Sequence, residues 1–239
     1  MALRSERPGA AVDVGILGDF CSPAEASLQA GFDRSRHPML IADDRRRMVN
    51  GNAAACELLA TSHTDLPWCT LDEFTAPSER ARLEDQWAPF LTSGAAEGWY
   101  ELLVPGRGEI VLEFSALARV LPARHLLVFI EPDQHDAQDA GARKVAWAPV
   151  EADGRGAAQL SKRERQVMAL IAHGGQSADM AASLILSPET VKTHVHHAMT
   201  KLGAHTRAHA VAIAIVTGQI SWPIDDSSAG QPPDLLRAR

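Results

Sequence analysis

The chain has 239 residues, 46% of them hydrophobic and 22% charged, with a formal net charge of −7. That length holds one large core or two small ones. Its apolar N-terminal run is short and broken by Asp13 and Asp19, so neither a signal peptide nor a membrane span is expected. The three cysteines, Cys21, Cys56 and Cys69, have no metal or dithiol spacing, which points to a reducing, cytoplasmic setting.

The acidic average conceals a split. Across residues 160–217 there are six cations (Lys162, Arg163, Arg165, Lys192, Lys201, Arg207) against three acids (Glu164, Asp179, Glu189), so this segment carries +3 and the remainder −10. Six of the ten histidines also fall there. A polyanionic partner is therefore expected for this segment although not for the chain as a whole.

In chain order, residues 1–35 read as a loose arm ending in a short helix. Ser22-Pro23-Ala24-Glu25 supplies a cap, a proline at the first helical position and an acid three residues after the cap, predicting a helix over 22–33. Residues 38–42 and 46–50 read as two short strands turning at Asp43-Asp44, and 53–59 as a helix with one apolar face. A further helix is predicted near 78–93. Three long strands follow, over 98–104, 109–119 and 125–130, punctuated by Pro105-Gly106 and Pro122-Ala123-Arg124. Two strands, small helices and three strands make a five-stranded antiparallel sheet with helices on one face, an α+β domain.

The order and length over 36–133 resemble a PAS sensor domain. HPMLIADDRRRMVNGNAAACELL is similar to that family's first hairpin and following helix, with Asp44 near the turn and Asn52 at the position of a frequent Asn; the usual proline after it is Ala53. The resemblance implies either a small-molecule ligand or a dimerisation surface. Sensing would require an apolar cavity between the strands over 98–130 and the helices over 53–93. No cofactor is expected, because no histidine lies between His63 and His125 to ligate haem and the Asn-Cys-Arg of flavin-binding relatives is absent. Cys69 reads as an ordinary half-buried thiol and Cys56 as core. Residues 134–159 mix charge, Gly and Ala and read as a linker with a helical portion over 134–146, while 218–239, rich in Pro, Ser and Asp, read as a disordered tail.

The 160–217 segment reads as four helices. Ser161 and Glu164 form a capping box ahead of Val167, Met168, Leu170 and Ile171, and Gly174-Gly175 end that helix. A second helix over 177–184 buries Met180, Ala181 and Leu184. Ser187-Pro188 start a third, on which Val191, Val195, Ala198, Met199 and Leu202 face inward and which Gly203 stops. Thr206 caps a fourth, over 207–216, made almost wholly of Ala, Val and Ile. So apolar a helix must be covered on one side by its own module and is open to a second copy on another.

LSKRERQVMALIAHG, MAASLILS, TVKTHVHHAMTKLG and TRAHAV together resemble the LuxR-type helix-turn-helix domain, also found in FixJ-like and NarL-like response regulators. The resemblance implies a third helix that enters the DNA major groove, a fourth that mediates dimer contact, double-stranded DNA partners with inverted-repeat sites, and contact with RNA polymerase. Carried onto this chain, the DNA-facing positions are Thr190, Val191, Lys192 and His194, with Lys201 near the backbone. His196 and His197 stand where arginine is frequent, which weakens phosphate attraction at neutral pH. His194 and His197 share a helical face but lack a third ligand, so no metal site is expected. No glycine-rich phosphate loop, nucleophile elbow or convergent metal ligands suggest an enzyme.

The expectation is a PAS-like sheet domain followed by an all-α helix-turn-helix domain, serving as a cytoplasmic, homodimeric, sequence-specific transcription regulator. The alternative is a protein-interaction partner of another regulator, with weak DNA binding of its own.

Overall fold

The computed structural model describes residues 23–131, 147–151 and 158–220. The arm over 1–22, the helical portion expected over 134–146 and most of the tail lie outside these residues. Helix α1 (Pro23–Arg34) precedes strands β1 (Met39–Ala42) and β2 (Met48–Gly51). Three short helices, α2 (Ala53–Leu58), a 3-10 turn (Leu66–Trp68) and α3 (Leu71–Phe74), lead to the longer α4 (Arg80–Ser93). Strands β3 (Gly94–Val104), β4 (Gly108–Leu121) and β5 (Arg124–Ile130) follow. The sheet runs β2-β1-β5-β4-β3 in antiparallel pairs, the PAS-like order. A sixth strand, β6 (Trp147–Glu151), adds to β3 from within the stretch read as linker.

Asn52 shows why that residue type stands at the entry to α2. Its side-chain oxygen accepts from the N–H groups of Ala55 (2.9 Å) and Met39 (3.0 Å), while its amide nitrogen lies 2.9–3.2 Å from the carbonyls of Phe32, Ser35 and His37. One buried amide thus caps a helix and ties α1 to the first hairpin.

Strand alternation sorts the sheet into two faces. Leu40, Leu102, Phe114, Leu127 and Phe129 point to α2, α3 and α4 and form one core. Met39, Ile41, Ala95, Leu117, Leu126 and Val128 point the other way, into a core shared with α1 and with the C-terminal helices. Those helices are α5 (Lys162–Ala172), α6 (Ser177–Leu184), α7 (Pro188–Leu202) and α8 (Arg207–Val216).

The space expected to hold a ligand inside the PAS-like domain is filled. Trp87, Phe90, Tyr100, Phe114 and Phe129 close on a void of about 10 Å³, room for about one water. The buried Tyr100 hydroxyl is satisfied locally, 2.8 Å from that of Thr75. His125, on β5 beneath α4, accepts at Nδ1 from the Arg119 N–H (3.1 Å) and therefore donates from Nε2 to Asp44 (3.0 Å). Burial holds its pKa below the ordinary value, against the pull of Asp44.

Candidate nucleic-acid interface

The four C-terminal helices are fixed by their ends. Ser161 accepts from the Glu164 N–H (3.3 Å) and Glu164 returns an acceptor to the Ser161 N–H (2.7 Å), completing the capping box at α5. The Glu164 carboxylate, almost fully buried, also binds Lys201 Nζ at 2.8 Å. Burial pushes that carboxyl up, but Lys201 and Ser161 outweigh it and hold it below the ordinary range. Helix α6 begins at Gln176 without a side-chain cap, and the turn into α7 passes through Ile185, which holds φ 55° and is 93% exposed. Ser187 accepts from the Thr190 N–H (3.1 Å), and Pro188 occupies the first turn of α7.

On α7 the buried stripe is Val191, Ala198 and Leu202, with Val195 and Met199 beside it. Spaced by three and four, the opposite positions Glu189, Lys192, Thr193, His196, His197 and Thr200 are exposed. Thr193 and Thr200 return their hydroxyls to the carbonyls four residues earlier (3.0 and 2.9 Å). Lys192 Nζ lies 3.6 Å from Glu189, with its side chain 64% exposed.

The residues singled out in the sequence thus divide. Lys192 lies on the outward face. Thr190 and His194 flank it half-buried, with the Thr190 hydroxyl 2.8 Å from that of Ser187. Val191 is corrected: at 0% exposure it is a pedestal residue, facing α7 inward. Lys201 lies at the far end of the helix, paired with Glu164. Thr193, His196 and His197 complete the face. Their signal was the complement of the apolar stripe, which already assigned Val191 inward.

Helix α8 is the larger surprise. Every residue from Ala208 to Ile215 is buried, and the side expected to meet a second copy is covered by the chain's own β4, β5 and α1. Two sheet carboxylates meet its N-terminus. Glu97 accepts from the Thr206 N–H (3.0 Å), the Thr206 hydroxyl (2.9 Å), the His205 N–H (3.3 Å) and His205 Nδ1 (2.7 Å). His209 Nδ1 stands 3.1 Å from the same carboxylate, an ion-pair approach without hydrogen-bond alignment. Glu113 accepts from the Ala208 N–H at 2.7 Å. Carboxylates at amide groups with no intrahelical partner, and at the positive end of the helix dipole, are favourable. Burial raises the Glu97 pKa, yet the histidines and Thr206 prevail and bring it to about 2.

The opposite exchange occurs at the C-terminus of α5. His37 Nε2 lies 2.6 Å from the Ile171 carbonyl, and the Ser35 hydroxyl donates to that of Ala172 at 3.0 Å. An open cleft of about 710 Å³ flanks this seam, lined by Arg36, Glu57, Arg107, Glu131, Gly174 and Arg207.

A capped third helix with a polar outward face, braced by three further helices and preceded by a PAS-like sheet, defines a helix-turn-helix protein with a PAS-like domain. The model of the "Bacterial regulatory proteins, luxR family" matches residues 158–214. GerE, the spore germination protein of Bacillus subtilis, is 36% identical over 61 residues, which cover 26% of this chain and 82% of GerE. The chain belongs to the luxR family of bacterial regulatory proteins. The probable transcriptional regulatory protein NarL of Mycobacterium tuberculosis is 49% identical over 76 residues, 32% of each chain. The chain spans only 27% and 31% of the length of two further regulators from Bacillus subtilis. Among solved structures, the LuxR-type receptor VqmA of Vibrio cholerae, a dimer in the absence of target DNA, aligns with 83% of this chain and 89% of its own at 17% identity and a TM-score of 0.38. Among the described residues no helix is long and apolar enough to cross a membrane.

Proposed function

We propose that the chain is a sequence-specific, DNA-binding transcription regulator that acts in the cytoplasm as a homodimer on inverted-repeat sites in double-stranded DNA, with the PAS-like domain as its input. The observation that carries this reading is the outward face of α7: Lys192, Thr193, His196 and His197 lie exposed on a 15-residue helix whose other side is locked into a core. A helix presented in this way fits the major groove, where side chains from its first turns reach base edges. Thr190 and His194 serve at the margin of that face, and Lys201 serves as a brace with reach toward a phosphate. Two-fold pairing of the protein requires related half-sites. Contact with RNA polymerase belongs to the same reading, for a dimer seated near a promoter.

Selection of bound fragments from the organism's genome tests this, followed by salt titration on the selected duplex. Affinity should fall with rising salt, and Lys192→Ala should weaken binding and reduce the salt slope by about 1 while leaving the fold intact. No enrichment of any sequence, with equal salt-insensitive affinity for all duplexes, would refute the proposal.

A further inference from the structure

We propose that the open cleft between the PAS-like sheet domain and the helix-turn-helix module is a binding site for a ligand of the nucleotide class, a small molecule with a phosphate head and a flat, apolar body. The inference goes beyond the DNA reading and does not depend on it.

Among the described residues, the cleft has room for such a molecule and the PAS-like interior does not. The interior is closed down to about 10 Å³, whereas the cleft holds about 710 Å³, within the range of small-molecule sites and far more than a bare anion fills. Both modules supply its walls. Arg36, Glu57 and Arg107 come from the PAS-like side, and Ile171, Gly175 and Arg207 from the helices. A ligand seated there touches both at once.

Charge selects the head group. Three arginines, Arg36, Arg107 and Arg207, stand against two carboxylates, Glu57 and Glu131, so the lining carries a positive excess. Arg36 is exposed, and its guanidinium has no hydrogen bond or ion pair among the described residues. Its root is nonetheless fixed, because its N–H donates to the Ala172 carbonyl at 3.3 Å. Gly174 closes on the same root: it holds φ 80°, and a Cβ there would lie 3.2 Å from the Arg36 Cβ. An arginine anchored at its base and unanswered at its tip is set to receive an anion. Arg107 is held loosely, with both Nη atoms 3.3 Å from one oxygen of Glu131 and 55% of its side chain exposed. Exposed pairs of this kind contribute little, so a phosphate can take over that guanidinium.

A phosphomonoester carries a charge of about −1.5 to −2 and three acceptor oxygens, and so answers several guanidinium forks better than a single carboxylate does. The rest of the lining fits the body. Pro38, Leu58, Ile130 and Ile171 supply apolar surface for a ring. The Glu57 carboxylate, also without a partner among the described residues, serves as acceptor for a ribose hydroxyl or an exocyclic amine.

Isothermal titration calorimetry of the full chain with AMP, adenosine and inorganic phosphate tests this. AMP should bind about tenfold or more tightly than either of its halves. Arg36→Ala keeps the Cβ against which Gly174 packs, so it should fold normally by circular dichroism while weakening AMP and inorganic phosphate by about tenfold. Glu57→Gln should weaken AMP by about threefold and leave inorganic phosphate no weaker, a split that a merely structural role would not produce. No binding of AMP at millimolar concentration, or AMP binding unchanged in Arg36→Ala, would overturn the proposal. Equal affinity for AMP and inorganic phosphate would overturn it too, marking an adventitious ion only. A salt slope for duplex binding that falls by about 1 in Arg36→Ala would assign that arginine to a DNA phosphate and likewise overturn the site. If no duplex binds, the DNA reading fails and the calorimetry still decides the cleft.

Discussion

The two faces of one sheet differ in how their polar groups are satisfied. On the inner face, under α2 to α4, Tyr100, Thr75 and His125 find partners within the PAS-like domain itself. On the outer face, Glu97 and Glu113 find theirs on the helix-turn-helix module. Buried polar groups need hydrogen bonds wherever they are, so the inner face specifies a domain and the outer face specifies a contact. Damage to the first should unfold the PAS-like domain, whereas damage to the second should loosen its contact with the helix-turn-helix module.

The largest expected effect falls on the inner face. Phe129 packs against Tyr100 and Phe114 with ring centroids 6.3 and 6.4 Å away, and it is 1% exposed. Phe129→Ala should cost about 3–5 kcal/mol. Chemical denaturation measures it. A loss under 1 kcal/mol (about a third of the lower bound) would mean that the core collapses around the gap and that the inner face is not rigid.

Acid should separate the faces in two windows. Burial lowers the pKa of His125, and it lowers that of His173 together with the nearby Arg36 charge. The folded state then holds fewer protons than the unfolded one, so the associated stability is present above the ordinary histidine value of 6.5 and is lost as pH falls below it. Glu97, depressed from 4.5 to about 2, contributes stability that survives to 4.5 and disappears between those values. Thermal unfolding across pH should therefore decline first below 6.5. His125→Gln should flatten that first decline and leave the lower window in place. An identical profile in the variant would remove His125 from the account.

Much of this was legible in the sequence. Strand alternation, the Asn52 entry to α2 and the caps at Ser161, Ser187 and Thr206 are local, and short-range chemistry identifies them. The outward face of α7 was legible too, because Val191, Val195, Ala198 and Leu202 fix the helix phase and leave Thr193, His196 and His197 opposite. Placing Val191 on the DNA side conflicted with that phase, and packing decided the matter. The grip of Glu97 on Thr206 was not legible, since it joins residues 109 positions apart and a carboxylate in a strand reads equally well as solvated. The pairing of β6 with β3 was hidden for a similar reason: a stretch of mixed charge, Gly and Ala carries no strand period.

Ile185 lies at the turn between α6 and α7, away from both faces. A β-branched side chain at φ 55°, 93% exposed, gains little packing to offset its left-handed backbone. Ile185→Gly should stabilise the module by about 1 kcal/mol, read by chemical denaturation. A destabilised variant would show that the Ile185 side chain contributes packing that outweighs its backbone strain.

Ser115 gives the smallest effect and the most discriminating one. Its hydroxyl is fully buried on the outer face between Glu97 of β3 and Val128 of β5 in the strand register, with no hydrogen-bond partner among the described residues. A buried hydroxyl without a partner costs desolvation that nothing returns, and replacing it with a methyl removes that cost while nearly conserving shape. Ser115→Ala should therefore leave the fold intact and raise stability by up to about 1 kcal/mol, read as a modest increase in melting temperature. A lower melting temperature in Ser115→Ala would show that the hydroxyl is satisfied where it stands and that its burial carries no such cost.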